Sequence, residues 1–285
     1  MSNKRKFQEL TIRDNFMFAA VMMQEENCKR FIEMLLGIKV RKIEISYEKS
    51  LIYNPQYKGV RLDVYAGNEN NTRYDIEMQV AQQVLGKRAR YYHSQMDMDI
   101  LASGREYKEL PPAYVIFICN FDPFAKEKYC YTFEKRCLQD FSLDMGDASR
   151  SIFLSTEGKD TENIPKELKA FLDFVKTDTS ENNAETDDAY VKTLQQTIRS
   201  VKENRELERN FMTLDEIRQA GIVEGMLQAR KEDIFGFLQE LGDIPEGLRA
   251  RIMSETDIDV LKAMIKIAIA AASIEEFEKN ISNLQ

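Results

Sequence analysis

The 285-residue sequence predicts an α/β fold: a mixed sheet flanked by helices, followed by an all-helical C-terminal region. Three observations carry this. Between residues 40 and 121, stretches with a period of two give way to a helical stretch and then to an unbroken apolar run. That order belongs to a mixed sheet with helices packed on it. The segment "TDTSENNAETDD" (177–188) is polar and poor in apolar residues, which marks a linker. Beyond it, charges interleave with an apolar stripe at helical spacing.

Taken in order, residues 11–36 read as one helix, with Phe16, Val21 and Met22 on one side, Phe31, Met34 and Leu35 continuing the pattern, and Gly37 as its stop. Asp14 is placed to cap it or to orient a neighbour. "VRKIEISYEKSLI" (40–52) alternates like a strand, and strands near 59–66 and 72–80 fold at "GNENN" into an antiparallel hairpin. A long helix follows over 85–110, burying Leu85, Tyr92, Met96 and Ile100 and ending near Gly104. "PPAYVIFICNF" (111–121) reads as a fully buried strand. "KYCYTFEKR" and "RSIFLS" add short strands at the sheet margin, and a helix near 165–176 closes the domain. The last helices, "IPEGLRARIM", "TDIDVLKAMIKIAIAAA" and "SIEEFEKNI", each open with Pro or with a Ser, Thr or Asp cap. The expected division is a domain at 1–178, a linker at 179–188 and an acidic helical region at 189–285. For that last region the expectation is regulation or self-association, with homodimerisation through its helices.

Composition narrows the function. With 43% hydrophobic and 31% charged residues, the chain has the make-up of a soluble globular protein. No apolar run approaches the roughly 20 residues of a membrane span, and "MSNKRKFQEL" has no apolar core after its basic start, so a cytoplasmic protein without a membrane partner is expected. Cys28, Cys119, Cys130 and Cys137 form no C-x-x-C pair, and reduced thiols are the better reading. His93 is the sole histidine, which excludes His-dependent triads and HExxH zinc sites. The net charge is −8, and all of the acidic excess lies beyond residue 178, so the N-terminal part can still own a local basic surface.

The hairpin holds the chemistry. By strand period, Arg61, Asp63 and Tyr65 oppose Leu62, Val64 and Ala66, while Asp75, Glu77 and Gln79 oppose Tyr74, Ile76, Met78 and Val80. Asp63 then sits beside Asp75 or Glu77 on the non-core face. Clustered carboxylates repel unless a cation lies between them, so the partner is solvent, an arginine or a metal. The spacing D-x13-E-x-Q offers Asp63 and Glu77 as ligands for Mg²⁺, with Gln79 placed to orient an attacking water. "GKRARYYHSQ" then presents Lys87, Arg88, Arg90, Tyr91 and Tyr92 at a helix start, where phosphate is favoured. The bland alternative is a solvated hairpin face. Asp75 reads as an acid with a solvent or salt-bridge role, Asp97 and Asp99 as exposed helix residues, and His93 as a packing or surface residue.

"RLDVYA", "YDIEMQV", "KRARYYHSQMD" and "YVIFICNFDPF", in that order, resemble the PD-(D/E)XK nuclease family transposases, also called recombination-promoting nucleases. The resemblance covers roughly residues 10–155, and "DNFMFAAVM" fits it too. It implies a restriction-endonuclease-like core, DNA as substrate, Mg²⁺ (or Mn²⁺ in its place) and a link to recombination or gene transfer. Asp63 corresponds to the motif aspartate, Glu77 to the acidic residue of (D/E)xK and Gln79 to its lysine. Arg88, Arg90 and Tyr91 match a basic-aromatic helix, making them the expected DNA contacts. Two departures stand out. Gln79 brings no positive charge, and Ala19 stands where related sequences tend to carry lysine. The expectation is a Mg²⁺-dependent DNA endonuclease that hydrolyses phosphodiesters with metal-activated water. The alternative is a weak or inactive nuclease-fold scaffold of a mobile element. Nothing resembles a helix-turn-helix reader or a DDE site.

Overall fold

The computed structural model describes residues 6–51, 60–101, 104–177 and 186–282. Helices α1 (Asn15–Met22) and α2 (Glu25–Leu36) lead into strand β1 (Ile43–Leu51) and the hairpin of β2 (Val60–Asn68) and β3 (Arg73–Gln79). Helix α3 (Leu85–Ile100) and strands β4 (Ala113–Cys119), β5 (Cys130–Phe133) and β6 (Ser149–Ser155) follow, then helices α4 (Lys166–Thr177) and α5 (Ala189–Glu203). The six strands form one mixed sheet in the order β1-β2-β3-β4-β6-β5. Only the β3–β4 and β4–β6 pairs are parallel.

Strand β4 lies between two parallel neighbours and is buried on both faces, which is why its sequence is an apolar run rather than an alternation. On one face, Leu85, Ala89, Tyr92 and Met96 of α3 pack on Val115, Phe117, Cys119 and Phe153. On the other, Tyr74 stacks on Tyr114 with ring centroids 5.4 Å apart. Helices α1, α2, α4 and α5 pack together, with Phe31 against Phe171 at 5.3 Å. Helix α5 is fastened to this group by polar bonds as well. The Tyr190 hydroxyl donates to the Asn27 carbonyl at 2.9 Å, and Asn27 Nδ2 donates to Thr197 Oγ1 at 3.1 Å.

Several expectations are corrected. The single helix over 11–36 is two, parted at Met23 and Gln24, where Gln24 is extended. The break lets Met17, Phe18, Val21 and Met22 face inward along one axis and Cys28, Phe31 and Ile32 along another. Glu25 and Glu26 in the first turn suit a fresh N-terminus, and Gly37 ends α2 in the left-handed region as expected. Asp14 occupies the N-cap position of α1, but its carboxylate accepts from the Thr11 backbone N–H at 2.8 Å and caps no helical N–H. Helix α3 stops at Ile100, short of Gly104. Of the two short strands expected at the margin, β5 lies there and β6 is interior to the sheet.

The chain divides into two compact units at Glu208/Arg209. Most of the segment expected as a linker lies outside the described residues. Helix α5 belongs to the first unit, because its stripe of Tyr190, Val191, Leu194, Ile198 and Val201 is buried there. Helix α6 (Arg205–Leu241) carries the chain onward. In the second unit its C-terminal half joins α7 (Glu246–Ser254), α8 (Ile258–Ala270) and α9 (Ile274–Ile281) around Ile234, Leu238, Leu261, Met264 and Phe277. Asp257 and Ser273 cap α8 and α9 through their side chains, as the sequence signals. Among the described residues no helix is long and apolar enough to cross a membrane.

Candidate active site

The hairpin turn is held by its own side chains. Asn68 Oδ1 accepts from the N–H groups of Asn70 and Thr72, each at 3.0 Å, and Asn71 takes a positive φ. From there the β2–β3 ladder runs from Gly67↔Arg73 to Val64↔Ile76 and stops. One residue further, the Asp63 N–H donates to the Glu77 carboxylate (Oε1) at 3.1 Å. The strict alternation expected along β2 also breaks here, since Leu62 joins Tyr65 in the core cluster beneath α3.

The face carrying the acids is not solvated. Asp63 is 7% exposed, Gln79 6%, and Asp75 and Glu77 0%. This overturns the expectation of a non-core face, and of a solvent role for Asp75. The cause is register: Asp75, Glu77 and Gln79 pair with Val115, Phe117 and Cys119, the floor on which α3 packs.

Of the three partners open to these carboxylates, the structure holds an arginine. Arg88 Nη2 donates to Glu77 Oε2 at 2.7 Å and Nη1 to Gln79 Oε1 at 3.1 Å. Its Nε donates to the Tyr92 hydroxyl at 2.6 Å, and the guanidinium carbon lies 4.9 Å from the Tyr92 ring centroid and 5.8 Å from that of Phe117. Gln79 Nε2 completes the ring by donating to Glu77 Oε2 at 3.3 Å. The i, i+4 spacing of Arg88 and Tyr92 on α3 lets both reach the same spot.

Burial and the Asp63 charge push the Glu77 carboxyl up, to about 8, against the pull of Arg88. Asp75 is raised well above the ordinary range by burial, then by Glu77 and Asp63. Neither of its oxygens has a hydrogen-bond partner among the described residues, which suits a carboxyl that burial drives toward its neutral form. Burial opposes the Arg88 charge, but Glu77 and Tyr92 hold its pKa above the usual guanidinium value.

The three residues expected to contact DNA lie in different settings. Arg88 turns into the acid cluster, Arg90 is exposed, and Tyr91 is half-buried against the core under α3. His93 is partly buried with Nε2 3.2 Å from Ser151 Oγ, and burial with the Lys135 charge lowers its pKa to about 4. Ala19 is buried in α1, so no surface contact is lost with a lysine there. Sequence reasoning placed Asp75 on the acid face and Tyr92 at the helix start, but missed the burial of the first and the bond of the second to Arg88. The strand period did put Asp75 beside Glu77, but nothing in the pattern said that this face is covered.

Among the described residues no three His, Cys, Asp or Glu side chains group as a metal cage. Carboxylates from Asp63 and Glu77 nevertheless fit a hard cation that takes one or two carboxylates and draws its remaining ligands from water and phosphate. A cleft of about 400 Å³, lined in part by Lys49, Tyr65, Arg73, Asp99 and Arg105, contains none of these residues. Within it Lys49 pairs with Asp99 and Arg105 with Glu109.

No curated protein and no solved structure matches the chain. A family model described as PD-(D/E)XK nuclease family transposase matches residues 13–220, which takes in the sheet, α3 and the acid cluster. The mixed sheet flanked by helices agrees with the restriction-endonuclease-like α/β core of that family. The chain belongs to the PD-(D/E)XK nuclease family transposases.

Proposed function

We propose that the chain is a divalent-metal-dependent DNA endonuclease, with Asp63 and Glu77 as metal ligands and Gln79 beside them. One observation carries this: Glu77, wholly buried, bonds to the Asp63 backbone and to the Gln79 amide at the point where the β2–β3 ladder ends. A buried pair of carboxylates is a site that demands positive charge. The fit of the ion rests on this donor chemistry. When bound, Mg²⁺ or Mn²⁺ would lower the pKa of water and polarise a phosphodiester. The chain's own residues do the rest. Asp63 and Glu77 hold negative charge in a dry setting, Gln79 orients a hydroxyl through its amide, and exposed Arg90 with Tyr91 meets the DNA backbone. The excess acidity beyond residue 178 disfavours DNA contact there, and self-association or regulation is the role that fits those helices. Four free cysteines suit a reducing, cytoplasmic setting.

The test is plasmid cleavage with Mg²⁺ or Mn²⁺, its loss in EDTA, and its loss in Asp63→Asn and Glu77→Gln. Equal cutting by wild type and Asp63→Asn sinks the reading. One observation favours the non-catalytic alternative: Arg88 already neutralises Glu77. Under that reading DNA or protein binding survives Asp63→Asn, and no metal concentration brings cleavage.

A further inference from the structure

We propose that Arg88 supplies the positive charge missing from the third motif position, reaching that point from α3, and that Gln79 is the neutral partner which lets it do so. This rests on the endonuclease reading and deepens it. A lysine at 79 would extend its ammonium to where Gln79 now accepts from Arg88 Nη1 at 3.1 Å. Two cations at that spacing repel, so a cationic 79 and a cationic 88 exclude each other, while Gln79 with Arg88 forms a matched pair.

The guanidinium is built into place. Its three bonds run to Glu77, Gln79 and Tyr92. Only the first involves a proposed metal ligand, and the two neutral partners hold the fork whether or not Glu77 is engaged elsewhere. The rings of Tyr92 and Phe117 flank it, fixing the guanidinium plane in a low-dielectric wall. The Arg88 side chain keeps 30% exposure whereas Glu77 has none, so it is the member of the ring that an arriving anion meets. An Nη2 donor released from Glu77 is then aimed at a phosphate oxygen, where an arginine fork fits best. Arg88 is therefore a catalytic residue for a phosphodiester substrate and not a general DNA contact.

The experiment compares wild type, Arg88→Gln, Arg88→Lys, Gln79→Lys and Gln79→Lys/Arg88→Gln for plasmid cleavage. Ca²⁺ affinity is measured by calorimetry and folding by thermal melts. The expected results are a loss of about 100-fold or more in Arg88→Gln, partial retention in Arg88→Lys, and recovery of at least about tenfold in the double variant over Arg88→Gln. Gln79→Lys alone gains nothing. Ca²⁺ binding in Arg88→Gln is equal to or tighter than in wild type, because an internal competitor for Glu77 has gone. A merely structural Arg88 would weaken Ca²⁺ binding together with cleavage, and that result overturns the proposal. So does Arg88→Gln cutting as fast as wild type, or a double variant no better than Arg88→Gln. A wild type that never cuts removes the endonuclease reading itself, and this proposal with it.

Discussion

Asp75 and Glu77 lie two residues apart on one face of β3, both fully buried, yet Glu77 accepts from Arg88, Gln79 and the Asp63 N–H while Asp75 meets no fixed donor. The strand thus carries one carboxyl ringed by donors and a neighbour with none recorded among the described residues, and burial raises the proton affinity of both. Both carboxyls have raised pKa values, and the sign of the pH effect follows. Each binds more protons folded than unfolded above its unfolded pKa of roughly 4. Their contribution to stability is therefore greatest in acid and falls as pH rises, for Glu77 until about 8. The metal-free protein should lose thermal stability between about pH 5 and pH 8 from this cluster. Asp75→Asn should flatten that slope and raise stability at pH 8 by about 1–3 kcal/mol. Melting curves across pH test it, and a wild-type profile unchanged by Asp75→Asn would refute it.

Divalent-ion binding should follow the same protons. Glu77 must be ionised to ligate, so Ca²⁺ affinity should rise with pH up to about 8 and binding should release protons. Calorimetry in buffers of different ionisation enthalpy measures the release. Affinity flat from pH 6 to 8 would count against Glu77 as a ligand.

Phe117 supports the site from below. It is wholly buried, stacks on Phe153 at 5.4 Å and lies 6.2 Å from Tyr92. Phe117→Ala should cost about 3–5 kcal/mol in chemical denaturation. Phe117→Leu, which keeps more of the volume, should cost distinctly less.

Two glycines make a contrast in backbone room. A Cβ at Gly158 would lie 2.5 Å from the Tyr129 backbone nitrogen and 2.4 Å from its Cγ. A Cβ at Gly67 would meet only the Arg73 guanidinium, at 2.0 Å, which can swing aside. Gly158→Ala should therefore destabilise by about 1–3 kcal/mol or more. Gly67→Ala should cost less than about 1 kcal/mol, with equal losses for the two contradicting this account.

Thiol reactivity should sort by burial. Cys28 and Cys119 are buried and burial pushes both thiols up to about 12, whereas Cys137 is partly exposed. Iodoacetamide on the native protein should label Cys137 first and spare Cys28 and Cys119 until unfolding. Mass spectrometry reads the order.

The sequence by itself determined the order of sheet elements, the turn at Asn68–Asn71, the stop at Gly37 and the caps at Asp257 and Ser273, because each rests on local backbone chemistry. It also grouped Asp75, Glu77 and Gln79, since a period of two needs no partner to be read. Tertiary structure alone decided that this face is buried, that Arg88 turns inward, and that α5 packs with the sheet unit. An amphipathic pattern shows which residues share a side but not what will cover it. The landing of α3 on Val115, Phe117 and Cys119, with the end of the β2–β3 ladder at Val64↔Ile76, placed Arg88 against Glu77. Those contacts join segments separated in the chain, and no local rule encodes them.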